Sequence, residues 1–324
     1  MKLGLLTACL PWLSLDEVAS WAARTEGYEA LEVAAWPTGG THIHHAAHLD
    51  VANFSGDDAE RVRKLMERHG LTISAVTYCD NNLHGDSKER DRIHQHLRAC
   101  IDAAATLGVP YVGTFIGRDI TRSVDDNIEL AERVLPPLLE YAAKRGVRLL
   151  AENCPMEGWH PDGYPGNLAY SPELWDWMFD LGGHRSGFLL TYDPSHLPWL
   201  GIDPIDALDH ALERGMVAHF QAKDIEINQR LRTRYGVFGK TVGRTSPTDV
   251  GWWQYRIPGL GNQLDWNCLV DRLYKADYNG AVAVEHEDPV WGGTPDRTRV
   301  GLQKAADHLR RFIVPEQPEL RNVA

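Results

Sequence analysis

The sequence predicts an α/β protein built as a single (β/α)₈ barrel, the TIM barrel fold. Short apolar runs alternate with longer amphipathic segments along all 324 residues, as expected for strand and helix units around a parallel sheet. No stretch rich in Pro, Gly or Ser is long enough to separate two domains. We therefore expect one barrel domain over residues 1–314 and a C-terminal tail over residues 315–324.

Eight apolar runs have the length and composition of buried strands. They cover residues 3–10, 30–36, 72–79, 111–116, 148–154, 187–192, 217–222 and 280–285. An open nine-stranded sheet and a pair of smaller α/β domains are the alternatives to a closed barrel. Neither is supported after the first run, where Pro11-Trp12-Leu13 stands in place of a glycine-rich phosphate loop.

Helix start and stop signals lie between these runs. Ser14-Leu15-Asp16-Glu17 has the spacing of a capping box. Ser171-Pro172 and Thr294-Pro295 each place a cap residue before a proline at the first turn. Three glycines follow helical segments and lead into the next strand, as C-cap glycines do. They are Gly70, Gly108 and Gly146.

Two predicted loops are long, one after the second strand (residues 37–58) and one after the seventh (residues 225–264). In a barrel both lie at the catalytic face, where long loops form lids or substrate walls. The first loop is rich in histidine, which we interpret as a surface feature of a lid and not as a second metal site. Its histidines are His42, His44, His45 and His48.

Composition and charge limit the classes of molecule that this protein is expected to bind. A formal net charge of −12 argues against nucleic acid, because binding to a phosphate backbone depends on clustered Lys and Arg. No apolar run approaches the ~18–20 residues of a membrane span. Five scattered cysteines without CxxC spacing favour reduced thiols in a cytoplasmic protein. A neutral, polyol-like small molecule fits this balance as substrate, and a homo-oligomer or a small partner subunit remains open.

Polar side chains close four consecutive predicted strands, at the end where barrels build their active sites. They are Glu152, Asp193, Gln221 and Glu285, with His219 as the alternative to Gln221 on the same strand face. Adjacent strands lie about 4.8 Å apart, so these side chains converge on one point. Three carboxylates at one point repel each other unless a cation lies between them. The sequence therefore predicts one divalent metal ion, Mn²⁺ or Mg²⁺, with Co²⁺ as a third candidate.

Five segments carry a resemblance that covers nearly the whole chain. They are Glu152, Asp193-Pro-Ser-His196, Lys223-Asp224, Glu285-His-Glu287, and Pro258-Gly-Leu-Gly261 with the following Asp265-Trp266. Together they resemble the xylose-isomerase-like TIM barrel family, which includes sugar phosphate isomerases and epimerases, inosose dehydratases and keto-glycoside-cleaving enzymes. The resemblance implies that Glu152, Asp193, Gln221 and Glu285 are metal ligands. It departs at Gln221, where the epimerases of the family have histidine.

The same resemblance implies catalytic roles. Glu152 and Glu285 would exchange a proton at the substrate carbon. His196 should lie over the same site, where it contacts the substrate or orients Asp193. Lys223 is a further catalytic candidate, unless it pairs with Asp224 and serves only as scaffold. The residues expected to bind substrate are Trp36, Glu157, Trp159, His160 and His219.

Several reactions are compatible with these residues. The Lys223-Asp224 pair resembles the dehydratase and keto-sugar-cleaving branches of the family, and Ile225 stands where the epimerases have arginine. The resemblance therefore implies, as first choice, a lyase that performs β-elimination on a keto-sugar or 3-keto-glycoside. A sugar isomerase or epimerase of the ketose 3-epimerase type is the alternative, and a non-catalytic sugar-binding barrel is a distant third. The endonuclease branch of the family is disfavoured, because its trinuclear zinc site needs extra histidines. None of the three corresponding segments contains histidine: they read Tyr78-Cys79-Asp80, Gly113-Thr114-Phe115 and Arg232-Thr233-Arg234.

Overall fold

The computed structural model of the chain describes residues 1–25, 27–38, 46–181 and 187–314. The barrel strands are β1 (Lys2–Leu6), β2 (Ala30–Ala34), β3 (Thr72–Thr77), β4 (Tyr111–Thr114), β5 (Arg148–Glu152), β6 (Leu189–Tyr192), β7 (Val217–Ala222) and β10 (Ala281–Val284). Two further strands, β8 (Asp224–Ile227) and β9 (Trp253–Arg256), form a separate antiparallel hairpin. Each barrel strand is parallel to both neighbours, and β1 pairs with β2 and β10 to close the ring. The predicted barrel is confirmed, and the open nine-stranded sheet is wrong.

The α-helices, apart from the exposed one over Gln229–Tyr235, pack around the barrel and supply the outer layer of the core. They are α1 (Leu15–Arg24), α2 (Gly56–His69), α3 (Ser87–Leu107), α4 (Val124–Val134), α5 (Pro136–Ala143), α6 (Pro172–Asp180), α7 (Leu197–Leu200), α8 (Pro204–Glu213), α9 (Gln229–Tyr235), α10 (Trp266–Lys275) and α11 (Pro295–Leu309). Every residue of β2, β6 and β10 is buried. This burial on both faces explains why the strands appear in the sequence as continuous apolar runs.

Most of the predicted helix-capping residues adopt the expected local structure. The Ser14 and Glu17 side chains cap α1 reciprocally, and the Ser14 backbone N–H donates to Glu17 at 2.8 Å. Thr294 caps α11 through the Arg297 backbone N–H, whereas Ser171 makes no side-chain capping hydrogen bond before α6. Gly70, at a φ of +64°, ends α2 in the left-handed conformation that favours glycine.

The first apolar run is the strand whose end differs most from the prediction. We expected a strand over residues 3–10, but β1 ends at Leu6 and Thr7–Cys9 forms a 3-10 helix. The Thr7 hydroxyl accepts a hydrogen bond from the Ala34 backbone N–H at 2.8 Å. A side-chain oxygen therefore replaces the backbone partner that a continuing strand would offer, and the pairing with β2 stops there.

The long connection after β7 has regular structure of its own. The β8–β9 hairpin and α9 lie within it and enclose a small apolar cluster that includes Trp199, Ile225 and Trp252. The rings of Trp199 and Trp253 stack with centroids 4.8 Å apart. This packing holds β9 against α7, directly after the end of β6. Of the other predicted loop, His42, His44 and His45 lie outside the described residues.

All five cysteines are free thiols. None of the helices in the described ranges combines the length and apolar character that a membrane-spanning segment needs.

Candidate active site at the barrel mouth

Three carboxylates meet at the carboxyl ends of the barrel strands. Glu152 is the last residue of β5, Asp193 follows β6, and Glu285 follows β10. One oxygen from each lies within 4.8 Å of the other two. The Glu285 backbone N–H donates to the Ala222 carbonyl at 3.1 Å, which continues the pairing with β7 and fixes this glutamate at the mouth. The structure thus brings together the three carboxylates that the sequence singles out.

Asp193 is held rigidly and is fully buried. Its backbone exchanges two hydrogen bonds with the Asn153 side chain, at 2.6 and 2.8 Å, and its Oδ1 atom accepts from the Ser195 backbone N–H at 2.8 Å. Its Oδ2 atom has no hydrogen-bond partner among the described residues, although two cationic groups lie near it. A buried oxygen in that condition is a candidate metal ligand.

An ammonium group lies inside the acidic cluster. The Nζ atom of Lys223 donates to Glu285 and to Glu287, each at 2.8 Å, and lies 3.2 Å from Oδ2 of Asp193. Burial opposes its charge, but the three carboxylates raise the pKa of Lys223 well above its ordinary value. Burial and the neighbouring carboxylates also raise the pKa of Glu285 well above its ordinary value, although Lys223 opposes this shift.

Gln221 and His219 project from β7 into the barrel interior at two depths. Gln221 lines the cavity at the mouth, and its Nε2 atom donates to both oxygens of Glu32, at 3.2 and 3.3 Å. Its Oε1 atom is buried without a hydrogen-bond partner among the described residues. His219 lies one layer deeper, where its Nε2 is 3.0 Å from the Ser74 hydroxyl. Burial lowers the pKa of His219 to about 4.

His196 lies beside the carboxylates as expected. Its Nε2 atom is 3.3 Å from Oε1 of Glu152 and 3.3 Å from Oδ2 of Asp193. Its Nδ1 atom is 2.7 Å from the hydroxyl of Tyr255, a residue of β9. The hairpin after β7 therefore positions the imidazole over the site through Tyr255.

Two cysteines and a methionine lie next to the carboxylate cluster. The Cys79 thiol lies 3.8 Å from Oε2 of Glu152, and the Cys154 thiol lies 3.4 Å from the Met156 thioether. Glu152, Cys154 and His196 form a second group whose ligand atoms lie within 4.8 Å of one another. Burial raises the pKa of Cys154 to about 12, so its thiol is protonated near neutrality.

A cavity of about 140 Å³ opens onto these groups. Its lining is Leu6, Ala8, Cys9, Trp36, Thr77, Cys79, Phe115, Glu152, Cys154, Met156, Gln221, Lys223, Glu285, His286 and Glu287. A larger cavity of about 620 Å³ lies on the flank of the barrel between α1 and α2. It is remote from the carboxylate cluster, so the smaller cavity is the candidate active site.

The structure brings Trp36 to this cavity but not the other residues expected to bind substrate. Glu157 is buried in a short 3-10 helix after β5. Trp159 packs edge-on against Phe115, with ring centroids 5.5 Å apart, and lines a different cavity. His160 packs against Tyr164 and accepts a hydrogen bond from the Asp162 backbone. The Trp159 and His160 rings are therefore packed against Phe115 and Tyr164 and do not line the cavity.

Asp224 does not pair with Lys223, contrary to the scaffold alternative. Its carboxylate accepts hydrogen bonds from the backbone N–H groups of Ile225 and Gly259, at 2.8 and 3.0 Å, and from the Trp266 indole at 2.8 Å. A side chain at Gly261 would overlap this carboxylate. The Pro-Gly-Leu-Gly segment and its tryptophan are thus the anchor of the loop before α10.

Sequence reasoning missed several residues of the site. Tyr255 was hidden because the hairpin that carries it was assigned to a loop. Glu32 closes no predicted strand, since it lies in the middle of β2. Glu287 could have been predicted from its spacing, because it lies two residues after Glu285. Alternation brings side chains at that spacing to one side of an extended chain.

Comparisons with known proteins agree with this architecture. The sequence model of the family described as xylose isomerase-like TIM barrel matches residues 20–312. An uncharacterized Bacillus subtilis protein, YfiH, is 28% identical over 330 residues, which covers 97% of this chain and 99% of that protein. The probable 3-DHS dehydratase AsbF of Bacillus anthracis superposes with a TM-score of 0.65 at 15% identity, over 95% of this chain and 98% of that one. D-psicose 3-epimerase of Clostridium cellulolyticum superposes with a TM-score of 0.66 at 16% identity, over 96% and 99%.

Proposed function

Because the chain belongs to the xylose isomerase-like TIM barrel family, we propose that it is a divalent-metal-dependent, sugar-active enzyme that removes a proton from the carbon next to a carbonyl. The observation that carries this proposal is the cluster of Glu152, Asp193 and Glu285 at the barrel mouth. Solved structures with this fold include both a probable dehydratase and an epimerase by name, so the fold alone does not select the reaction.

The residues fit a divalent cation. Three carboxylate oxygens lie within 4.8 Å of one another, and both Oδ2 of Asp193 and Oε1 of Gln221 are buried without a hydrogen-bond partner among the described residues. Glu152, Asp193, Gln221 and Glu285 would hold the ion, and oxygen donors of this kind suit Mn²⁺ or Mg²⁺, with Co²⁺ as a further candidate. When bound, such an ion polarises a substrate carbonyl and stabilises the negative charge that follows loss of the neighbouring proton.

Glu285 is the first candidate for the group that takes the proton. Its carboxyl lines the cavity beside the other proposed metal ligands, where a positioned carboxylate can act as a general base. Glu152 lies across the cluster and is the candidate for a second proton-transferring group. His196, held by Tyr255, lies beside Glu152 and would bind the substrate oxygen or orient Asp193.

Lys223 supports elimination as the first choice of reaction. Loss of a β-oxygen substituent needs a proton donor close to the leaving oxygen. The Lys223 ammonium lies within the cluster, 2.8 Å from Glu285, where it can hydrogen-bond a leaving oxygen and stabilise its developing negative charge. The two glutamates, at the ends of β5 and β10, support the alternative, because a pair of proton-transferring groups could exchange the proton between the two faces of the carbon. The function proposed first is therefore lyase-type β-elimination, with isomerisation or epimerisation as the second candidate.

The cavity lining supports a neutral substrate with an apolar part. Trp36, Phe115 and Met156 contribute apolar surface. Lys223 is the only Lys or Arg among the described lining residues, and it is already surrounded by three carboxylates. No other ammonium or guanidinium group in that lining can bind a phosphate or a substrate carboxylate. A keto-sugar or a 3-keto-glycoside therefore suits the site better than a sugar phosphate.

Deuterium exchange tests the proposal. The metal-loaded protein is incubated in D₂O with keto-sugars, 3-keto-glycosides and inososes, and the products are examined by NMR. Release of water or of the aglycone supports the lyase, whereas deuterium at the α-carbon of an intact skeleton supports the epimerase. The absence of exchange with every compound contradicts the proposed chemistry and favours a sugar-binding barrel. A chelator-treated sample is the matched control, and it should be inactive.

A further inference from the structure

We propose that Glu32 is a positioning residue that turns the amide oxygen of Gln221 towards the carboxylate cluster, and that this oxygen biases the site towards Mn²⁺ and Mg²⁺ over Zn²⁺. The inference rests on the proposed metal site and concerns two residues that reach it from the barrel interior. It gives Glu32, which the proposed chemistry does not use, a specific task.

The NH₂ end of the Gln221 amide faces Glu32. Gln221 Nε2 lies 3.2 and 3.3 Å from the two oxygens of Glu32. In its ionised form Glu32 only accepts hydrogen bonds, so it selects the NH₂ end of the amide. The oxygen must then point the other way, and Oε1 is indeed buried without a hydrogen-bond partner among the described residues.

Glu32 is itself held in place by a hydrogen bond and by burial. Thr77, the last residue of β3, donates its hydroxyl to Oε1 of Glu32 at 2.7 Å. Glu32 is 1% exposed and lies in the middle of β2, a strand buried along its length. Both the backbone and the carboxylate are therefore fixed, and Glu32 presents a rigid acceptor to Gln221.

The amide oxygen of Gln221, which lacks a hydrogen-bond partner among the described residues, favours the binding of a cation. A buried carbonyl oxygen without a partner costs free energy, which a bound cation would offset. An amide oxygen is a hard donor that suits Mn²⁺ and Mg²⁺, whereas an imidazole nitrogen favours Zn²⁺. His219, the nearest histidine on β7, lies one layer deeper with Nε2 at the Ser74 hydroxyl. The position of Gln221 on β7 thus determines the donor type on this side of the site.

The test is the binding of Mn²⁺ to the full chain, followed by electron paramagnetic resonance, without any substrate. Glu32→Gln can hydrogen-bond Gln221 in either orientation, so it should weaken Mn²⁺ binding about 10–100-fold, the usual effect of losing an outer-shell partner. Ser74→Ala is the matched control, because it alters the same interior without touching Gln221, and its affinity should stay within about twofold of wild type. Thermal melts establish that each variant folds.

A double-mutant cycle separates positioning from general damage. In Gln221→Met, no amide remains for Glu32 to orient, so adding Glu32→Gln should then leave Mn²⁺ binding within about twofold. Equal weakening by Glu32→Gln in both backgrounds overturns the positioning role. An unchanged affinity of Glu32→Gln in the wild-type background also overturns it.

Metal preference is tested with Gln221→His. The ratio of Zn²⁺ to Mn²⁺ affinity should rise at least about 10-fold. Cys154→Ser is measured alongside, because Cys154 and His196 are the other soft donors near Glu152. The readout is the change in this ratio between wild type and Gln221→His, with and without Cys154→Ser, because Zn²⁺ binds most protein sites more tightly than Mn²⁺. An unchanged ratio would overturn the proposed selectivity. Failure of the wild-type protein to bind Mn²⁺ at all would overturn the proposed metal site itself, whereas Mn²⁺ binding with an unaffected Glu32→Gln overturns only this inference.

Discussion

Lys223 and Asp224 are adjacent, buried and oppositely charged, yet they belong to different parts of the molecule. Lys223 faces the barrel mouth and is surrounded by three carboxylates. Asp224 faces the loop before α10, where two backbone N–H groups and an indole satisfy it. Alternation along an extended chain sends the two side chains in opposite directions.

The contrast distinguishes a site from a scaffold. Asp224 receives hydrogen bonds from neutral groups that have no other task, which is how a buried charge stabilises a loop. The three carboxylates around Lys223 share its single ammonium group, and Oδ2 of Asp193 and Oε1 of Gln221 accept no hydrogen bond from the described residues. Removing a charge at the mouth should therefore change chemistry and metal dependence, whereas removing Asp224 should change stability alone.

The largest expected effect is the loss of activity in Glu285→Gln. Removing a positioned proton acceptor lowers the rate of proton exchange about 10²–10⁴-fold. The metal-free protein should change little in stability, because Glu285 is buried beside other carboxylates and Lys223 keeps Asp193 and Glu287 as counter-charges. Exchange in D₂O and thermal melts provide the two measurements. Wild-type exchange rates in the variant would remove Glu285 from the chemistry.

The next largest effect concerns the Lys223→Met variant. It leaves Asp193 and Glu285 buried without a counter-charge, so the free energy of unfolding should fall by about 3–5 kcal/mol in the presence of chelator. Saturating Mn²⁺ should restore most of the loss, since the ion neutralises the same carboxylates. Urea unfolding with and without Mn²⁺ measures both values. An equal loss under both conditions would mean that Lys223 is scaffold, like Asp224.

A smaller effect, on stability alone, is expected for Asp224→Ala. Three buried donors lose their acceptor, so the free energy of unfolding should fall by about 3 kcal/mol. Trp266→Phe removes only one of these bonds and is the graded control. Activity per folded molecule and Mn²⁺ affinity should remain near wild type. A selective loss of Mn²⁺ affinity would contradict the assignment of Asp224 to the scaffold.

The smallest expected effect is a pH dependence from His219. Its pKa is about 4 in the folded chain and near 6.5 when unfolded, so the folded state binds fewer protons between these values. Its stabilising contribution is complete above pH 6.5 and decreases as the pH falls towards 4, by about 2 kcal/mol from pH 7 to pH 5. His219→Gln should lack this component.

Unfolding of both proteins at pH 7 and pH 5 provides the measurement for His219. Glu32 titrates nearby with the opposite sign, because burial raises its pKa to about 7, but it is present in both proteins. The comparison therefore isolates the histidine. Equal pH dependence in the two proteins would show that His219 is not buried in its neutral form.

The sequence contained enough information for the barrel and for the strand-end carboxylates, because both follow from periodicity. Glu152, Asp193 and Glu285 each end a buried run, and topology alone brings such positions together. The loop after β5 could not be predicted in the same way. Trp159 was expected at the substrate, but its contact with Phe115 depends on a loop conformation that no local pattern encodes.

Contacts between distant segments were the other limit of the sequence. Tyr255 reaches His196 across 59 positions and Glu32 reaches Gln221 across 189 positions of the chain. Neither pair has a spacing signal, since each depends on how the closed barrel and the hairpin place two strands together. The hairpin itself was hidden because β8 begins one residue after Lys223, without an intervening turn signal.

The central claim is that the carboxylate cluster at the mouth is a metal centre, and anomalous X-ray diffraction at the manganese edge tests it most directly. Crystals soaked in Mn²⁺ should show one strong peak per chain, surrounded by oxygens of Glu152, Asp193, Gln221 and Glu285. The peak should disappear in a variant that combines Glu152→Gln and Glu285→Gln. A mouth without a peak, at Mn²⁺ concentrations that saturate binding in solution, would contradict the account.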